Sequence, residues 1–533
     1  MCGIAGCFGI ADVNTVNRML DALPHRGPDD RGIHVFNNTV LGHTRLSIVD
    51  VAKGHQPILA NGGRTGVICN GEIYNFRNLR DKLMPKYQFQ TESDTESILH
   101  LYQEKGPECV RELDGMFAFA LFDGDDFMLA RDPIGIKPLY YGYVEEKLYF
   151  ASELGAMTLA GVDQVHEFPA GHYYTPKGGF VQYYELPEVE DYLLTDVEET
   201  CRLIRETLIK AVKKRLLADK EIHVGSFCSG GIDSSLVAAI AAEEIPHLHT
   251  FVVGMRDDSG DVADDLKAAR IAAAHIGSTH HELVFTEEEY YEALPTVIRK
   301  LESYDPSLVR CAIPCYFTCK LAADYVTVVL TGEGADELFA GYHYMKRYPP
   351  SKLNQEVRRC IGDLHHINLQ RADRIGMYFS LELRVPFLDV AMISLAMKIA
   401  PDLKIRTLGK TGEKIEKWIL RRAFADTDYL PNDILWRYKI QYTQGAGCES
   451  LGEKIAASEL SEAEYERIKA ENPQAVINSR EAAYYYKIFR QFHPQDSILS
   501  SIGIWRGFDF AEERERVRGT VDGTLKHAQH PTL

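Results

Sequence analysis

The stretch Ile222-His-Val-Gly-Ser-Phe-Cys-Ser-Gly-Gly-Ile-Asp-Ser-Ser235 decides how this chain is read. Its first seven residues, Ile222 to Cys228, form an apolar run that predicts a strand, and Ser234 to Glu244 has helical spacing. Two glycines join the two elements. They let the backbone approach a phosphate closely. The helix that follows offers its first N–H groups and a positive dipole to an anion. Ser234 and Ser235 can cap that helix and supply hydroxyls. No GxxxxGK[ST] occurs, so the ordinary P-loop reading fails. A strand-to-helix turn with a serine cap would look similar in isolation, and the surroundings have to decide.

Downstream, Thr250-Phe-Val-Val-Gly254 and Val326-Thr-Val-Val-Leu330 are further strand candidates, and upstream Val197 to Leu217 has helical spacing. Strands alternating with helices predict a parallel sheet, whose carboxyl edge is the usual ligand site. Thr331 and Gly332 end one such strand there. Asp233 and Asp336 supply the hard oxygens that suit Mg²⁺ against phosphates. The last third of the chain reads as mainly helical.

Residues 1 to about 185 differ in character. Short β-type runs (Gly66 to Asn70, Met116 to Phe122, Lys147 to Ala151) are bounded by Asn-Gly, Asp-Gly and Gly-Gly pairs. They predict a largely antiparallel domain. The acidic, proline-containing Glu185-Leu-Pro-Glu-Val-Glu-Asp191 reads as a linker. The expected division is 1–185, a linker at 186–200, a second domain at 201–515 and a polar tail at 516–533. A chain of 533 residues exceeds the roughly 250–300 at which single cores stop growing.

A net charge of -18 argues against general nucleic-acid binding, which needs a basic surface. The opening residues lack a basic n-region, and no apolar run reaches membrane-span length, so a cytoplasmic enzyme without membrane partners is expected. Eleven cysteines without paired spacing read as free thiols. Cys311, Cys315 and Cys319 fall on one helical stripe, as small core residues or as a metal or redox site.

Cys2 follows the initiator Met. Removing that Met would put a thiol and an α-amine on one residue, and an α-amine titrates near roughly 7.7–8.0. It can then act as base for its own side chain. Beyond it come His25-Arg-Gly-Pro-Asp-Asp30, a tight polar turn; Arg45, in His43-Thr-Arg-Leu-Ser-Ile-Val-Asp50; Asn70-Gly-Glu-Ile-Tyr-Asn75, at a strand end; Ser93-Asp94; and Arg131-Asp-Pro-Ile-Gly-Ile-Lys-Pro-Leu-Tyr140. Singly, Asn70-Gly71 is a hairpin signal, and Arg45 with Asp94 a solvated ion pair.

In this order these segments resemble the N-terminal-nucleophile (class II) glutamine amidotransferases. Ser229-Gly-Gly-Ile-Asp-Ser resembles the PP-loop of ATP pyrophosphatases, and Val329-Leu-Thr-Gly-Glu-Gly-Ala-Asp-Glu-Leu-Phe-Ala-Gly-Tyr342 resembles the asparagine synthase domain. Tyr304 to Arg310, Arg384 to Asp389, Glu413 to Arg421 and Leu435 to Lys439 extend the likeness over roughly residues 1–515. Together they are similar to the glutamine-hydrolysing asparagine synthetases.

The resemblance implies an N-terminal-nucleophile αββα sandwich followed by a PP-loop parallel α/β domain with a helical C-terminal part. It implies Cys2 as nucleophile and Asn70 with Gly71 as oxyanion hole. Arg45 would take the glutamine carboxylate and Glu72 with Asp94 its ammonium. It implies ATP as substrate with Mg²⁺ on Asp233 and Asp336. The nucleotide would meet Cys228, Ser229, Gly230, Gly231, Asp233, Ser234, Ser235, Val253, Thr331, Gly332, Lys417 and Lys439. Glu333 matches the residue required for the acyl-adenylate, and bacterial-type relatives suggest a homodimer.

Two departures stand out. The family's Lys-Glu-Gln-Phe is Lys439-Ile-Gln-Tyr442 here, which removes an acidic neighbour of the lysine. The family's Leu before the PP-loop serine is Cys228 here. Three other readings remain open: an amide- or lactam-forming ligase with another carboxylate substrate, a sugar-phosphate amidotransferase, and a retired binding protein.

Overall fold

A computed structural model of the chain describes residues 1–505, except 125, 163, 189–193, 257–259 and 410–411. The expected tail and the centre of the expected linker lie outside the described residues.

Two six-stranded antiparallel sheets stack face to face in the amino-terminal part. Period two accounts for the packing. Along Gly3–Phe8, Ile4 points into the space between the sheets, while Ala5 and Cys7 point outward. Along Gly115–Asp123, Ala118, Ala120 and Phe122 face inward, while Phe117, Phe119 and Leu121 face outward. Both faces are apolar because both are covered. Val16, Met19 and Leu20 of helix Val13–Asp21 pack on the outer face of one sheet. Helices Phe76–Leu83 and Thr95–Lys105 bury Leu79, Leu83, Ile98 and Leu99 on the other. The result is the expected αββα sandwich.

The second part is built on a five-stranded parallel sheet. Its spatial order is Thr279–Val284, His249–Gly254, Val224–Phe227, Val328–Leu330 and Glu382–Arg384, and every neighbouring pair is parallel. Strand order therefore reverses between Val224–Phe227 and Val328–Leu330. A crevice opens at the carboxyl ends of strands at such a point. The expected helix after the glycine turn runs Ile232–Ala242. The carboxyl third is helical, as in Asn368–Tyr378, Val390–Lys398 and Arg480–Phe492.

Three local readings change. Asn70-Gly71 is not a hairpin, because strand Thr65–Ile73 continues through it, pairs Asn70 with Ala118 and ends at Ile73, within the segment Asn70 to Asn75 as expected. The tight polar turn at His25-Arg26 is a 3-10 turn over Pro24–Arg26, but its Arg26 side chain is fully buried. Arg45 and Asp94 make no solvated ion pair, since both are buried. The stripe Cys311, Cys315 and Cys319 lies on helix Pro306–Ala322, with Cys315 and Cys319 buried as core fillers and their sulfurs 3.9 Å apart.

Candidate active sites

Cys2 enters the sandwich beside strand Thr65–Ile73, and its backbone nitrogen donates to Asn70 Oδ1 at 3.1 Å. Asn70 Nδ2 is buried without a partner among the described residues. A buried donor left unpaired costs free energy unless a ligand takes it, so this amide is ready for an oxyanion. Gly71 has φ 147, and a Cβ there would meet the Met116 carbonyl oxygen at 2.0 Å. Only glycine fits next to that amide. Burial pushes the Cys2 thiol up, against the nearby ammonium terminus and Arg45. The thiol thus stays protonated near neutrality and needs a base.

Arg45 ends strand Thr39–Arg45. Its guanidinium is aimed by three loop carbonyls, donating to Val49 O at 3.2 Å, Asp50 O at 2.6 Å and Val51 O at 3.1 Å. Glu72 keeps one buried oxygen unpartnered. Burial, then the neighbouring Glu382 and Asp94 charges, hold its carboxyl well above the usual range. Asp94 accepts from Ile73 N–H at 2.7 Å, and burial pushes it up to about 6. One cation and two acceptor-rich carboxyls around a thiol match a zwitterionic amide.

The second site is a cavity of about 280 Å³ at the sheet's reversal point. Ser229, Gly231, Asp233 and Ser234 line one side, Thr331, Gly332 and Glu333 another, and Phe251 to Val253 a third. The Ser229 N–H donates to Ser234 Oγ at 3.1 Å, which fixes the loop. Gly230 has φ 72, and a Cβ would meet the Ala268 backbone at 2.4 Å, so helix Asp264–Ile276 can close over the turn.

Asp233, Asp336 and Lys439 form the charged floor, with Lys417 packed behind it. Lys417 Nζ is 2.5 Å from Asp233 and 2.6 Å from Asp336, and Lys439 Nζ is 2.7 Å from Asp336. Burial alone would raise the Asp336 carboxyl; the two lysines outweigh it and hold it well below the usual range. Lys417 is fully buried with φ 53, an uncommon conformation for a side-chain-bearing residue, held here by its ion pairs. Asp233 Oδ1 is buried and unpartnered, which suits a hard divalent cation.

Not every expected nucleotide contact lines the cavity. Cys228 is buried behind the loop with its sulfur 3.8 Å from Ser235 Oγ, and Gly230, Ser235 and Lys417 also lie behind the wall. Glu333 pairs with Arg371, whose Nε has no partner. Arg371, Glu337 and Cys311 also line the cavity. Burial, with the Asp336 charge, pushes Glu337 up to about 7.

Reasoning from sequence missed Arg371 and Glu337, and it missed the join between the sites. Arg26 donates to Cys2 O at 3.0 Å, to Glu153 at 2.9 Å and to Asp373 at 2.7 Å. Arg374 pairs with Glu302 at 3.1 Å. Arg384 joins Glu382 at 2.6 Å and lies 3.9 Å from Glu72. Only the quoted His25-Arg26-Gly27 and Arg384-Val385-Pro386 segments pointed to these residues. Removing one member of such a network leaves buried charge uncompensated. Arg26→Met is therefore expected to cost about 3 kcal/mol and to lower the thermal unfolding midpoint. Calorimetry of the variant checks this.

Comparison with known proteins agrees with both halves. Residues 1–178 match the glutamine amidotransferase domain family, and residues 203–356 and 348–497 match the asparagine synthase family. A probable glutamine-hydrolysing asparagine synthetase of Dictyostelium discoideum is 36% identical, covering 95% of this chain and 96% of its own. Asparagine synthetase B of Escherichia coli is 39% identical, covering 94% and 93%. Among solved structures, a glutamine phosphoribosylpyrophosphate amidotransferase of B. subtilis covers 47% of this chain and 65% of its own, at 22% identity and a TM-score of 0.31, too slight a likeness to build on. With a sandwich that holds an amino-terminal cysteine, a parallel sheet that opens at its reversal point, and relatives aligned over nearly their whole length, the chain belongs to the glutamine-hydrolysing asparagine synthetases.

Proposed function

We propose that this enzyme makes L-asparagine from L-aspartate and ATP, using ammonia released from glutamine. The observation that carries the proposal is the buried join between two differently built sites, one aimed at an amide and one at a polyphosphate. With Met1 removed, the Cys2 amine takes the thiol proton, and sulfur attacks the glutamine amide carbon. Asn70 Nδ2 and the Gly71 N–H receive the oxyanion. Ammonia leaves, and water later releases glutamate from the thioester.

In the second site the β-carboxylate of aspartate attacks the α-phosphorus of ATP. Aspartyl-AMP forms and pyrophosphate departs toward Lys439 and Lys417. The bond broken lies between the α- and β-phosphates. Mg²⁺ on Asp233 and Asp336 would neutralise phosphate charge. Ammonia then attacks the acyl carbon, giving asparagine and AMP. Free ammonia is mostly protonated near neutrality and not nucleophilic, so its transfer across the seam between the domains preserves the reactive form. Glu333 and Arg371 stand at the acceptor end. A ligase for another carboxylate remains the alternative, and product analysis separates the two. With ATP, Mg²⁺, aspartate and glutamine, asparagine and AMP should appear in equal amounts. AMP without asparagine would move the acceptor assignment. No described helix is long and apolar enough to cross a membrane. A cytoplasmic location and a homodimer are part of the same reading.

The glutaminase step should be acid-sensitive through Asp94. Above about pH 6 its carboxylate is charged and can pair with the substrate ammonium. As pH falls through that value the charge is lost, and KM for glutamine should rise roughly tenfold per unit. Its raised pKa means the folded state takes the proton more readily than the unfolded one. This group's contribution to stability therefore grows as pH drops. Glutamine hydrolysis followed from pH 5 to 8 should show the inflection, and Asp94→Asn should remove it.

A further inference from the structure

Away from both reaction centres, three side chains meet across the seam between the sandwich and the parallel-sheet domain. Glu167 ends the short strand His166–Glu167, at the far edge of the sandwich. His365 and His366 lie in the 3-10 turn Leu364–His366, which leads directly into helix Asn368–Tyr378. One ligand atom of each residue lies within 4.8 Å of the other two. His365 Nδ1 is 2.7 Å from Glu167 Oε1. The His366 ring stands at 84° to that of His365, with centroids 4.5 Å apart.

Lone pairs remain uncommitted here. Among the described residues, the protein offers no hydrogen bond to Glu167 Oε2, to His365 Nε2 or to either ring nitrogen of His366. Arg131 also touches Glu167 Oε1, at 2.8 Å. Its other N–H groups are fixed on the carbonyls of Lys137, Phe168 and Gly135, so it competes for one carboxylate oxygen and not for the site.

The donor set selects the ion. A single carboxylate already shared with a guanidinium is a poor cage for Mg²⁺ or Ca²⁺, which need several hard oxygens. Two imidazoles and one carboxylate oxygen suit a borderline transition metal. We propose that Glu167, His365 and His366 form a binding site for one divalent ion of the Zn²⁺ class, with water completing its coordination. The ion would tie the edge strand His166–Glu167 of the sandwich to the turn that begins the helix carrying Arg371 and Asp373. It is separate from the cation expected on Asp233 and Asp336.

The test is a titration of the full-length protein, reduced, chelator-stripped and free of any histidine tag, with Co²⁺ alone. One equivalent should give the visible d–d bands of a low-coordinate site, without the thiolate charge-transfer absorption that the free cysteines would produce. Zn²⁺ should displace it. His366→Gln leaves the contacts of Glu167 with His365 and Arg131 intact. It should weaken Co²⁺ binding at least about tenfold and abolish the rise in unfolding midpoint that Zn²⁺ gives the native protein. Metal-free His366→Gln should keep native glutamine- and ammonia-driven activity, which separates loss of the site from misfolding. Absence of saturable binding, a thiolate spectrum, or unchanged affinity in His366→Gln would each overturn the proposal.

Discussion

Cys2→Ala should lose glutamine-driven asparagine synthesis by at least roughly a thousandfold while ammonia-driven synthesis continues near the native rate. The asymmetry follows from where the residue sits. Cys2 is buried in the sandwich against Asn70 and Leu46, and the cavity with Ser229, Asp233 and Glu333 belongs to the other domain. Removing the sulfur deletes the only step that opens the glutamine amide. Alanine is smaller than cysteine, so the fold tolerates it, and the link from Arg26 to the Cys2 carbonyl does not depend on the side chain. The measurement is asparagine and AMP formation with glutamine or ammonium chloride as donor, over matched pH. If both donors fail together, Cys2 is structural and the assignment of the first site falls. If neither is affected, the nucleophile lies elsewhere.

The reciprocal result belongs to Lys439. Lys439→Ala should lower aspartate-dependent ATP–pyrophosphate exchange and AMP formation by roughly a hundred- to a thousandfold, with glutamine hydrolysis intact. Burial works against the charge on Lys439, and Asp336 with Asp233 overcomes it, so the ammonium is held ready beside the Ser229 loop. Charge that develops on the departing pyrophosphate gains its stabilisation there, without reorganisation. Lys439 is also the better probe of the two lysines. It is partly exposed, whereas Lys417 is fully buried between two carboxylates, and its loss would unbalance the fold as well as the chemistry. Lys439→Arg should restore part of the exchange, because it returns the charge without the compact geometry. Full activity of Lys439→Ala would remove this residue from the mechanism.

Much of this molecule was legible from local pattern. Lys147–Ala151 forms a strand with the bounds read from its alternation, and the Ser229 turn joins Val224–Phe227 to Ile232–Ala242 as its glycines and serines require. Helix Val197–Lys214 begins where its spacing begins. Such features depend on neighbours a few residues away, so sequence carries them. The misreadings have a common origin too. Asn70-Gly71 has turn chemistry, yet pairing with Gly115–Asp123 holds it in a strand, and the interstrand hydrogen bonds override the local preference.

Local pattern alone marked the two motif sets: an amino-terminal cysteine followed by the Arg45, Asn70 and Asp94 segments, and a glycine turn between a strand and a helix. It also determined the alternation of elements that makes one domain a sandwich and the other a parallel sheet. Only the tertiary structure decided how the two are joined. Arg26, Arg374 and Arg384 are fully buried, and a charged side chain read from sequence is placed in water, because an unpaired charge is expensive to bury. Asp373 and Glu302, the partners of Arg26 and Arg374, lie far away in sequence, as does Glu72, which Arg384 approaches, and no local periodicity reports a pairing over such separations. The same reason kept Arg371 and Glu337 hidden at the acceptor end of the cavity. Their meaning comes from a shared wall, and that wall exists only once the strands and helices have packed.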